Sequence, residues 1–397
     1  MPALEALGWS ARFADGFQAH AGPNVVPGRV SLEYQHIYRV FTEQGEILAT
    51  LAGRLRHEAV AAVEYPGVGD WVALRLRPKG TRSTILSVLP RRSRFSRKAA
   101  GDTTREQIVA ANIDTVFLTT GLDDDFNLRR IERYLVTAWE SGAQPVVLLT
   151  KADLPDDPDA RVREVETIAA GAPVHATSAR RDHGVDVLKQ YLSPGLTVAL
   201  LGSSGVGKST LINRLIGHEQ QRTAEVSPRR SRGRHTTTHR ELILLPEGGL
   251  VIDTPGLREI QLWDVGGAIG TTFADVEALA SGCYFSDCRH DTEPHCAVRK
   301  GVAEGAVPAD RLDHYLKLRR EADLLAEKQD QLAQLQEKRR GKAIHKALRQ
   351  MTQDLLRNRQ LAAVSSPRPP PWARRRPPRR RRAERAGVRR TPGPAPR

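Results

Sequence analysis

A glycine-rich stretch in the middle of the chain carries the clearest chemistry in this sequence. It runs from Gly202 to Thr210 and matches the pattern G-x-x-x-x-G-K-[ST] in full. The apolar run Thr197–Leu201 precedes it and Leu211–Ile216 follows, so a strand leads in and a helix leads out, as in a phosphate-binding P-loop. Backbone N–H groups can wrap a polyphosphate, Lys208 can reach the β and γ phosphates, and Ser209 can hold Mg²⁺. The loop predicts a nucleoside triphosphate site made of Gly202, Ser203, Ser204, Gly205, Val206, Gly207, Lys208, Ser209 and Thr210.

Two short motifs upstream of this loop could read a purine base. Thr150-Lys151-Ala152-Asp153 ends the apolar run Val146–Leu149, and Ser178-Ala179 follows the run Val174–Ala176. The carboxylate of Asp153 can accept hydrogen bonds from the N1–H and 2-amino group of guanine, which adenine lacks, and a buried contact of this kind discriminates strongly. The expected base-reading residues are Thr150, Lys151, Ala152, Asp153, Ser178 and Ala179.

Magnesium and γ-phosphate contacts are expected downstream of the loop. Asp253 and Gly256 follow the apolar run Leu250–Ile252, where an acid can hold Mg²⁺ and a glycine N–H can meet the γ-phosphate. The loop Arg234–His239 adds hydroxyls in a stretch rich in Ser and Arg, which is typical of a switch. Each of these motifs alone also fits a helix start or a turn, but their shared position where strands meet loops favours one site. The expected magnesium ligands are Ser209, Thr237 and Asp253.

The order of these motifs is unusual. In an ordinary GTPase the P-loop comes first and the base-reading motifs come last. Here the motifs at Thr150 and Ser178 precede the P-loop, and Asp253 follows it. The sequence therefore predicts a circularly permuted nucleotide-binding domain that keeps the same sheet.

All three cysteines of the chain fall in one short window. Cys283, Cys288, His290 and Cys296 form C-x4-C-x-H-x5-C, a Cys₃His set that Zn²⁺ accepts as a closed, structural tetrahedral site. His295 is a rival fourth ligand, and small buried thiols in a reduced core are the alternative. An odd cysteine count argues against a disulfide framework and for a reducing compartment.

Charge and composition indicate a polyanionic partner. The net charge is +15, of which twelve Arg and one Glu beyond residue 364 supply +11 and leave +4 for the rest. Nucleic acid is favoured over an anionic membrane because no amphipathic anchor accompanies the charge. The chain has no apolar run near eighteen residues and begins without a basic segment and apolar core of a signal peptide, so a cytoplasmic protein is expected.

The pattern of short β-rich and helical runs predicts how the chain divides into domains. The β-rich runs Val30–Tyr34, Ile37–Thr42, Ile47–Leu51, Val60–Val63, Trp71–Leu76 and Thr84–Leu89 predict a small barrel, of which the OB-fold is one kind. After Gly101, strands alternate with helices, as in a mostly parallel α/β sheet whose ligand lies at the carboxyl ends of the strands. Residues 310–358 are helical in composition, as a docking helix or a solvent-exposed one. The expected organisation is an arm at 1–24, a barrel at 25–98, an α/β nucleotide domain at 99–275, a zinc-binding helical domain at 276–358 and a disordered Arg/Pro-rich tail at 359–397.

A basic segment links the barrel to the α/β region. Pro90–Lys98 carries five cations around one aromatic residue, Phe95. Such a composition suits phosphate contacts with base stacking, and it equally fits a solvated linker.

Taken together, these motifs resemble the ribosome small subunit-dependent GTPase A family, also called RsgA or YjeQ. The resemblance covers roughly residues 25–345 and rests on the permuted order, the P-loop, the loop at 233–238, the motif at 253–256, the cysteine cluster, and the stretches at 68–72 and 126–134. It implies an OB domain, a permuted GTPase domain and a zinc domain that act in late maturation of the 30S subunit, with 16S rRNA as partner and GTP hydrolysis accompanying release. Other small-subunit assembly factors are further expected partners, and a monomer is expected.

Two departures from the family pattern affect the site. Thr150 replaces the more common Asn, which weakens one supporting contact around the base, and the Arg/Pro-rich tail is outside the shared pattern. In addition, Leu257 stands where many GTPases have a water-orienting Gln, so intrinsic hydrolysis should be slow. We hypothesise that His235, in the switch loop, swings in to position the attacking water when the subunit orders that loop. His235 and Thr237 are the expected catalytic residues. An RNA contact or a turn cap is the alternative role of His235.

Two other classes of function compete with this interpretation. An RNA-binding scaffold that uses nucleotide only as a structural ligand would bind GTP without turnover, even with small subunits present. A P-loop ATPase or kinase of another kind would lack the guanine preference expected from Asp153.

Overall fold

The fold is that of a computed structural model. The structure describes residues 3–58, 62–78, 81–98, 106–217, 240–253 and 266–365. Residues up to Leu332 form one compact unit, and a second unit begins at Ala333. The second unit consists, in its described part, of the C-terminal portion of one long helix. The barrel, the α/β sheet and the helices around the cysteine cluster all lie in the first unit.

A closed five-stranded barrel forms the N-terminal part, and it confirms the OB-like prediction. Its strands are β1 (Val25–Tyr34), β2 (Ile37–Thr42), β3 (Gly45–Leu51), β4 (Trp71–Arg75) and β5 (Ser83–Val88). They pair in the order β1-β2-β3-β5-β4, and β4 pairs back onto β1, so no strand edge is left open. The predicted strand at 60–63 is wrong in its described part, because residues 62–64 form a single 3₁₀ turn.

The N-terminal arm is structured and covers the barrel. A 3₁₀ turn (Leu4–Leu7) leads into helix α1 (Ala11–Gln18). Phe13 is buried, and the rings of Trp9 and Trp71 lie 4.7 Å apart in an edge-to-face arrangement. Aromatic pairs of this geometry add to the free energy of burial, so the arm is part of the barrel's core.

The basic segment after the barrel forms a strand. β6 (Arg94–Lys98) pairs with β7 (Glu106–Ala111) as a hairpin. Phe95 is only 1% exposed, so the expectation that its ring stacks on a base is wrong. Arg91 and Arg92 pair with Asp70 and Asp114 within the chain. The segment therefore serves as a structural joint between the barrel and the following sheet.

The α/β sheet has the order β10-β9-β8-β11-β13-β12. Its strands are β8 (Thr115–Gly121), β9 (Gln144–Thr150), β10 (Val174–Ala176), β11 (Thr197–Leu201), β12 (Glu241–Leu244) and β13 (Leu250–Asp253). All neighbouring pairs are parallel except β12 with β13. Nearly continuous apolar runs such as Val146–Leu149 form these strands because parallel strands are covered on both faces.

Three helices position the loops at the carboxyl edge of this sheet. They are α3 (Leu128–Ser141), α4 (Pro158–Glu166) and α5 (Lys208–Ile216). Helix α3 begins where the Asn127 side chain accepts a hydrogen bond from the backbone N–H of Arg130, at 3.0 Å, which satisfies one of the free donors of its first turn. The strand order and the chain order together confirm a permuted P-loop fold. The P-loop strand β11 lies near the centre of the α/β sheet, but it is only the fourth of that sheet's six strands along the chain.

Helices surround the cysteine cluster. They are α6 (Gly266–Thr272), α7 (Ala274–Ala280), α8 (Ala297–Ala303) and α9 (Ala309–Ser365). Phe273, Val298 and Tyr315 are fully buried and form an apolar core for this region. A further short helix, α2 (Gly53–Glu58), lies in the barrel region. Within the described ranges, none of the helices has both the length and the apolar character needed to cross a bilayer.

Candidate nucleotide and metal sites

The P-loop has the backbone shape that phosphate binding requires. Gly205 and Gly207 have φ angles of 78° and 99°, a region that residues with a Cβ atom rarely adopt. At Gly202 a Cβ atom would overlap the carbonyl oxygen of Thr119 in β8. Helix α5 begins at Lys208, so its free N–H groups face the loop. The glycines are thus required by geometry as well as by the motif.

Lys208 folds back onto its own loop in this structure. Its ammonium group donates hydrogen bonds to the carbonyl oxygen of Gly202 at 2.8 Å and to that of Ser203 at 2.5 Å. These carbonyl oxygens hold the Lys208 cation beside the loop, where a phosphate oxygen would be its competing partner.

The base-reading motif lies directly beside the P-loop. The Thr150 hydroxyl, at the end of β9, donates a hydrogen bond to the Val206 carbonyl oxygen at 2.6 Å. The same hydroxyl lies 3.2 Å from the Thr120 carbonyl oxygen at the end of β8. Thr150 and Val206 are 56 positions apart in the sequence, yet this hydrogen bond joins the base-reading motif to the P-loop at the carboxyl edge of the sheet. The hydroxyl of Thr150 therefore supplies a tie to the P-loop at the position where Asn is more common.

Asp153 and Ser178 meet beyond this tie. The Ser178 hydroxyl donates to Asp153 Oδ1 at 2.6 Å, and this hydrogen bond lowers the pKa of the Asp153 carboxyl group. The backbone N–H of Ala152 donates to the Thr177 carbonyl oxygen at 3.1 Å. The two predicted base loops are therefore joined, with the Asp153 carboxylate held in its ionised form. Ala179 packs beneath them against the sheet core.

The remaining predicted residues divide into two groups. Asp253 ends β13 and is 8% exposed, and Ser209 and Thr210 lie in the first turn of α5. His235, Thr237 and Gly256 lie outside the described residues, as do Leu257, the switch loop at 233–238 and the tail beyond residue 365.

Two acidic residues in the loop after β8 contact the predicted site residues but were not predicted from the sequence. Asp125 accepts hydrogen bonds from the Ser203 hydroxyl, and Asp123 accepts one from the Lys151 ammonium group. Burial raises the pKa of Asp123, but the hydrogen bond and charge of Lys151, together with backbone hydrogen bonds, outweigh it and leave that pKa below its usual value. The signal was three successive aspartates at the carboxyl end of a fully buried strand, which is where ligands bind in such sheets.

The four predicted zinc ligands form one cluster. The ligand atoms of Cys283, Cys288, His290 and Cys296 all lie within 4.8 Å of one another. His290 Nδ1 lies 3.6 Å from the Cys283 sulfur and 3.5 Å from the Cys296 sulfur, and those two sulfurs are 3.9 Å apart. Tetrahedral zinc with bonds of about 2.3 Å to sulfur and about 2.0 Å to nitrogen gives edges of about 3.5–3.8 Å. The donor set and its spacing fit a metal ion, and the rival His295 is not part of the cluster.

The fold and the sites together define a circularly permuted P-loop GTPase with an N-terminal β-barrel and a C-terminal Cys₃His cluster. A family model described as RsgA GTPase matches residues 88–263. The small ribosomal subunit biogenesis GTPase RsgA of Opitutus terrae is 51% identical over 355 residues, which cover 87% of this chain and 97% of the relative. The chain belongs to the RsgA GTPase family.

Further relatives agree with this assignment. The small ribosomal subunit biogenesis GTPase RsgA of Syntrophotalea carbinolica is 42% identical, over 86% of this chain and 95% of its own length. The crystal structure of YjeQ from Thermotoga maritima matches with a TM-score of 0.56 and 29% identity, covering 75% of this chain and 98% of that one. The crystal structure of YloQ, a circularly permuted GTPase, matches with a TM-score of 0.55 and 25% identity, over 77% of this chain and 97% of that one.

A second family model, described as ABC transporter, matches residues 185–366. That range contains β11, the P-loop and α5, elements that P-loop ATPases and GTPases share. The RsgA relatives align over nearly their whole lengths, so the second match does not change the family assignment.

Proposed function

We propose that this chain binds GTP, hydrolyses it to GDP and phosphate, and does so in the maturation of the small ribosomal subunit, which stimulates its turnover. The observation that carries the proposal is the 2.6 Å hydrogen bond from Thr150 to Val206, which joins the guanine-reading motif to the phosphate loop. The RsgA relatives, whose names specify small ribosomal subunit biogenesis, support the partner.

In this proposal each loop at the carboxyl edge of the sheet has one role in nucleotide binding. Asp153 accepts hydrogen bonds from guanine, Ser178 and Ala179 cover the base, and the loop from Gly202 to Thr210 surrounds the phosphates. Mg²⁺ would neutralise charge on the β and γ phosphates, and Ser209 and Asp253 would hold it. Thr237 would add a hydroxyl ligand for Mg²⁺, and the backbone N–H of Gly256 would meet the γ-phosphate. Lys208 would exchange the loop carbonyl oxygens for phosphate oxygens.

Guanine specificity can be tested by a switch in base preference. Calorimetry should show that the wild type prefers GDP to ADP strongly, because ADP leaves the Asp153 carboxylate unpaired. Asp153→Asn should lose GDP affinity and gain affinity for xanthosine diphosphate, since an amide N–H can donate to the 2-oxo group of xanthine. Asp156→Asn, an exposed acid in the same loop, is the matched control and should keep the wild-type preference. Equal affinities for GDP and ADP would favour the ATPase alternative.

Partner stimulation needs a separate measurement. GTP turnover should be slow alone, because Leu257 replaces the water-orienting Gln, and should rise with purified 30S subunits but not with 50S subunits. We propose that His235 positions the attacking water, so His235→Ala should keep GDP affinity and lose the stimulation. Nucleotide binding without turnover in the presence of 30S subunits would instead favour the scaffold interpretation.

RNA contact and location are further parts of the proposal. We infer a cytoplasmic monomer that contacts 16S rRNA through basic residues and works beside other assembly factors. The logarithm of its binding constant for the subunit should fall linearly with the logarithm of the salt concentration. Each neutralised phosphate should contribute about 0.7–0.9 to that slope. A truncation at residue 365 removes a net charge of +11 and should lower this slope.

The Cys₃His cluster is proposed to hold one structural zinc ion. Metal analysis should give one zinc per chain, because the four ligand atoms lie within 4.8 Å of one another and form a Cys₃His set. His290→Ala should lose the ion, whereas His295→Ala should keep it, since His295 is exposed and outside the cluster. Retention of zinc by His290→Ala would overturn this ligand set.

A further inference from the structure

A carboxylate lies against the phosphate loop, where negative charge should oppose nucleotide binding. Both oxygens of Asp125 accept from the Ser203 hydroxyl, at 2.9 and 3.1 Å. Ser203 is the second residue of the P-loop, and its carbonyl oxygen accepts a hydrogen bond from Lys208. Asp125 therefore contacts this loop residue through its side chain, whereas Lys208 contacts it through the backbone.

A neighbouring cation offsets the charge of Asp125. Arg130, in the first turn of α3, forms an ion pair with Asp125 Oδ1 at 2.9 Å and also donates to the Asp125 carbonyl oxygen. The side chains of Asp125 and Arg130 are only 23% and 29% exposed. Hydrogen bonds of ionised groups are stronger than neutral ones, so this contact can hold a glycine-rich loop in one conformation.

We propose that Asp125 is a positioning residue of the nucleotide site, which fixes the first turn of the P-loop to helix α3 through Ser203. A loop held in its binding shape before the ligand arrives loses less conformational entropy on binding. The glycines at 202, 205 and 207 make such a restraint necessary, because they permit many backbone conformations. This inference rests on the proposed nucleotide site but does not depend on which base it prefers.

The test is a double-mutant cycle on GDP affinity, measured by calorimetry. Ser203→Ala and Asp125→Ala should each weaken binding about 10-fold, as for loss of a hydrogen bond to a charged group. The double variant should also be about 10-fold weaker, since both changes remove one contact. Asp124→Ala is the matched control: it removes the same charge from the same loop, but Asp124 is exposed, and affinity should stay within twofold.

The sign of the effect separates positioning from simple electrostatics. If Asp125 acted only as a charge, its removal would tighten GDP binding. Tighter binding, unchanged binding or an additive 100-fold loss in the double variant would each overturn the proposal. Should Asp125→Ala fail to fold, Asp125→Asn keeps the shape and one acceptor and should give a loss of about 3-fold with the same sign.

Steady-state kinetics supply a readout that a purely structural role would not reproduce. Asp125→Ala should raise KM for GTP about 10-fold with kcat unchanged, because the restraint acts equally in the ground and transition states. A fall in kcat would contradict positioning. The proposed function fails separately, if the wild type shows no preference for GDP over ADP, and the cycle can then be run with whichever nucleoside diphosphate binds.

Discussion

Two buried arginines join the domains of this protein in contrasting ways. Arg29, in β1, is fully buried and donates to three backbone carbonyl oxygens, those of Leu7, Gly69 and Asn112. These acceptors belong to the arm, the barrel and the start of the α/β sheet, and we call this cluster the barrel joint. Its acceptors are neutral, and burial lowers the pKa of Arg29 to about 10.

Arg311, in α9, forms the other cluster, which we call the helical joint. It pairs with Glu132 of α3 and, through two bonds of 2.8 Å, with Asp275 of α7. Glu132 is fully buried and also contacts Arg129 and His314, the latter at 2.6 Å. This joint connects the nucleotide domain to the helices around the cysteine cluster through opposite charges.

The difference lies in what each joint can respond to. Carbonyl oxygens do not titrate, so the barrel joint keeps its contacts over the whole physiological pH range. Carboxylates titrate, and a buried ion pair that loses one partner leaves an uncompensated charge behind. The two joints therefore predict a rigid attachment of the barrel and a charge-dependent attachment of the helical region.

The largest expected effect comes from breaking the helical joint. Glu132→Gln should lower the free energy of unfolding by about 3–5 kcal/mol, because Arg311 and Arg129 would lose a buried counter-charge. Urea denaturation with zinc present measures it. Glu164→Gln, which removes the half-exposed partner of Arg161, is the matched control and should cost less than about 1 kcal/mol. A similar loss of unfolding free energy in both variants would show that the buried ion pair of Glu132 stabilises the fold no more than the pair of Glu164.

Most of the fold and much of the candidate site could be predicted from sequence, because the carrying signals are local. The P-loop, the apolar runs of the parallel strands and the cysteine spacing each lie within one short stretch, and the observed strands match those runs closely. The strand expected at 60–63 was wrong because a short apolar run does not by itself distinguish a strand from a turn.

The joints and Asp125 were not predictable in this way, because their partners are distant along the chain. Glu132 and Arg311 are 179 residues apart, and Asp125 and Ser203 are 78 apart. Phe95 shows the converse error: a local composition typical of RNA binding is used for packing once the ring is buried. Side-chain partners across domains depend on tertiary placement, which residue spacing does not encode.

The barrel joint should be less costly to break. Arg29→Met should lower the free energy of unfolding by about 2 kcal/mol, because three carbonyl oxygens lose donors while the cost of burying a cation disappears. Arg29→Lys should not restore stability, since an ammonium group cannot match the fixed fork of the guanidinium. Urea denaturation of both variants tests this. A fully stable Arg29→Lys would mean that charge alone, and not the fork geometry, holds the joint.

The smallest effect is the pH dependence of the helical joint. Burial raises the pKa of Glu132, but hydrogen bonds from His314 and Arg129 outweigh it and hold that pKa below its ordinary value of 4.5. A carboxyl group with a lowered pKa stabilises the fold above its unfolded pKa, and the stabilisation is lost as the pH falls toward the folded pKa. Between pH 5.5 and pH 4, below the ordinary titration range of histidine, the loss should be below about 1 kcal/mol.

The contribution of Glu132 can be isolated by measuring how the free energy of unfolding changes with pH in the wild type and subtracting the same slope measured for a variant. Glu132→Gln lacks the titrating group but keeps the cysteine cluster and Asp275, so acid effects on those groups are shared with the wild type. The wild type should lose more stability than Glu132→Gln over this range, whereas Arg29→Met should follow the wild-type slope, because Arg29 titrates far above it. Equal slopes in wild type and Glu132→Gln would remove the pH contrast between the two joints. A flattened slope in Arg29→Met would show instead that the two joints are energetically coupled.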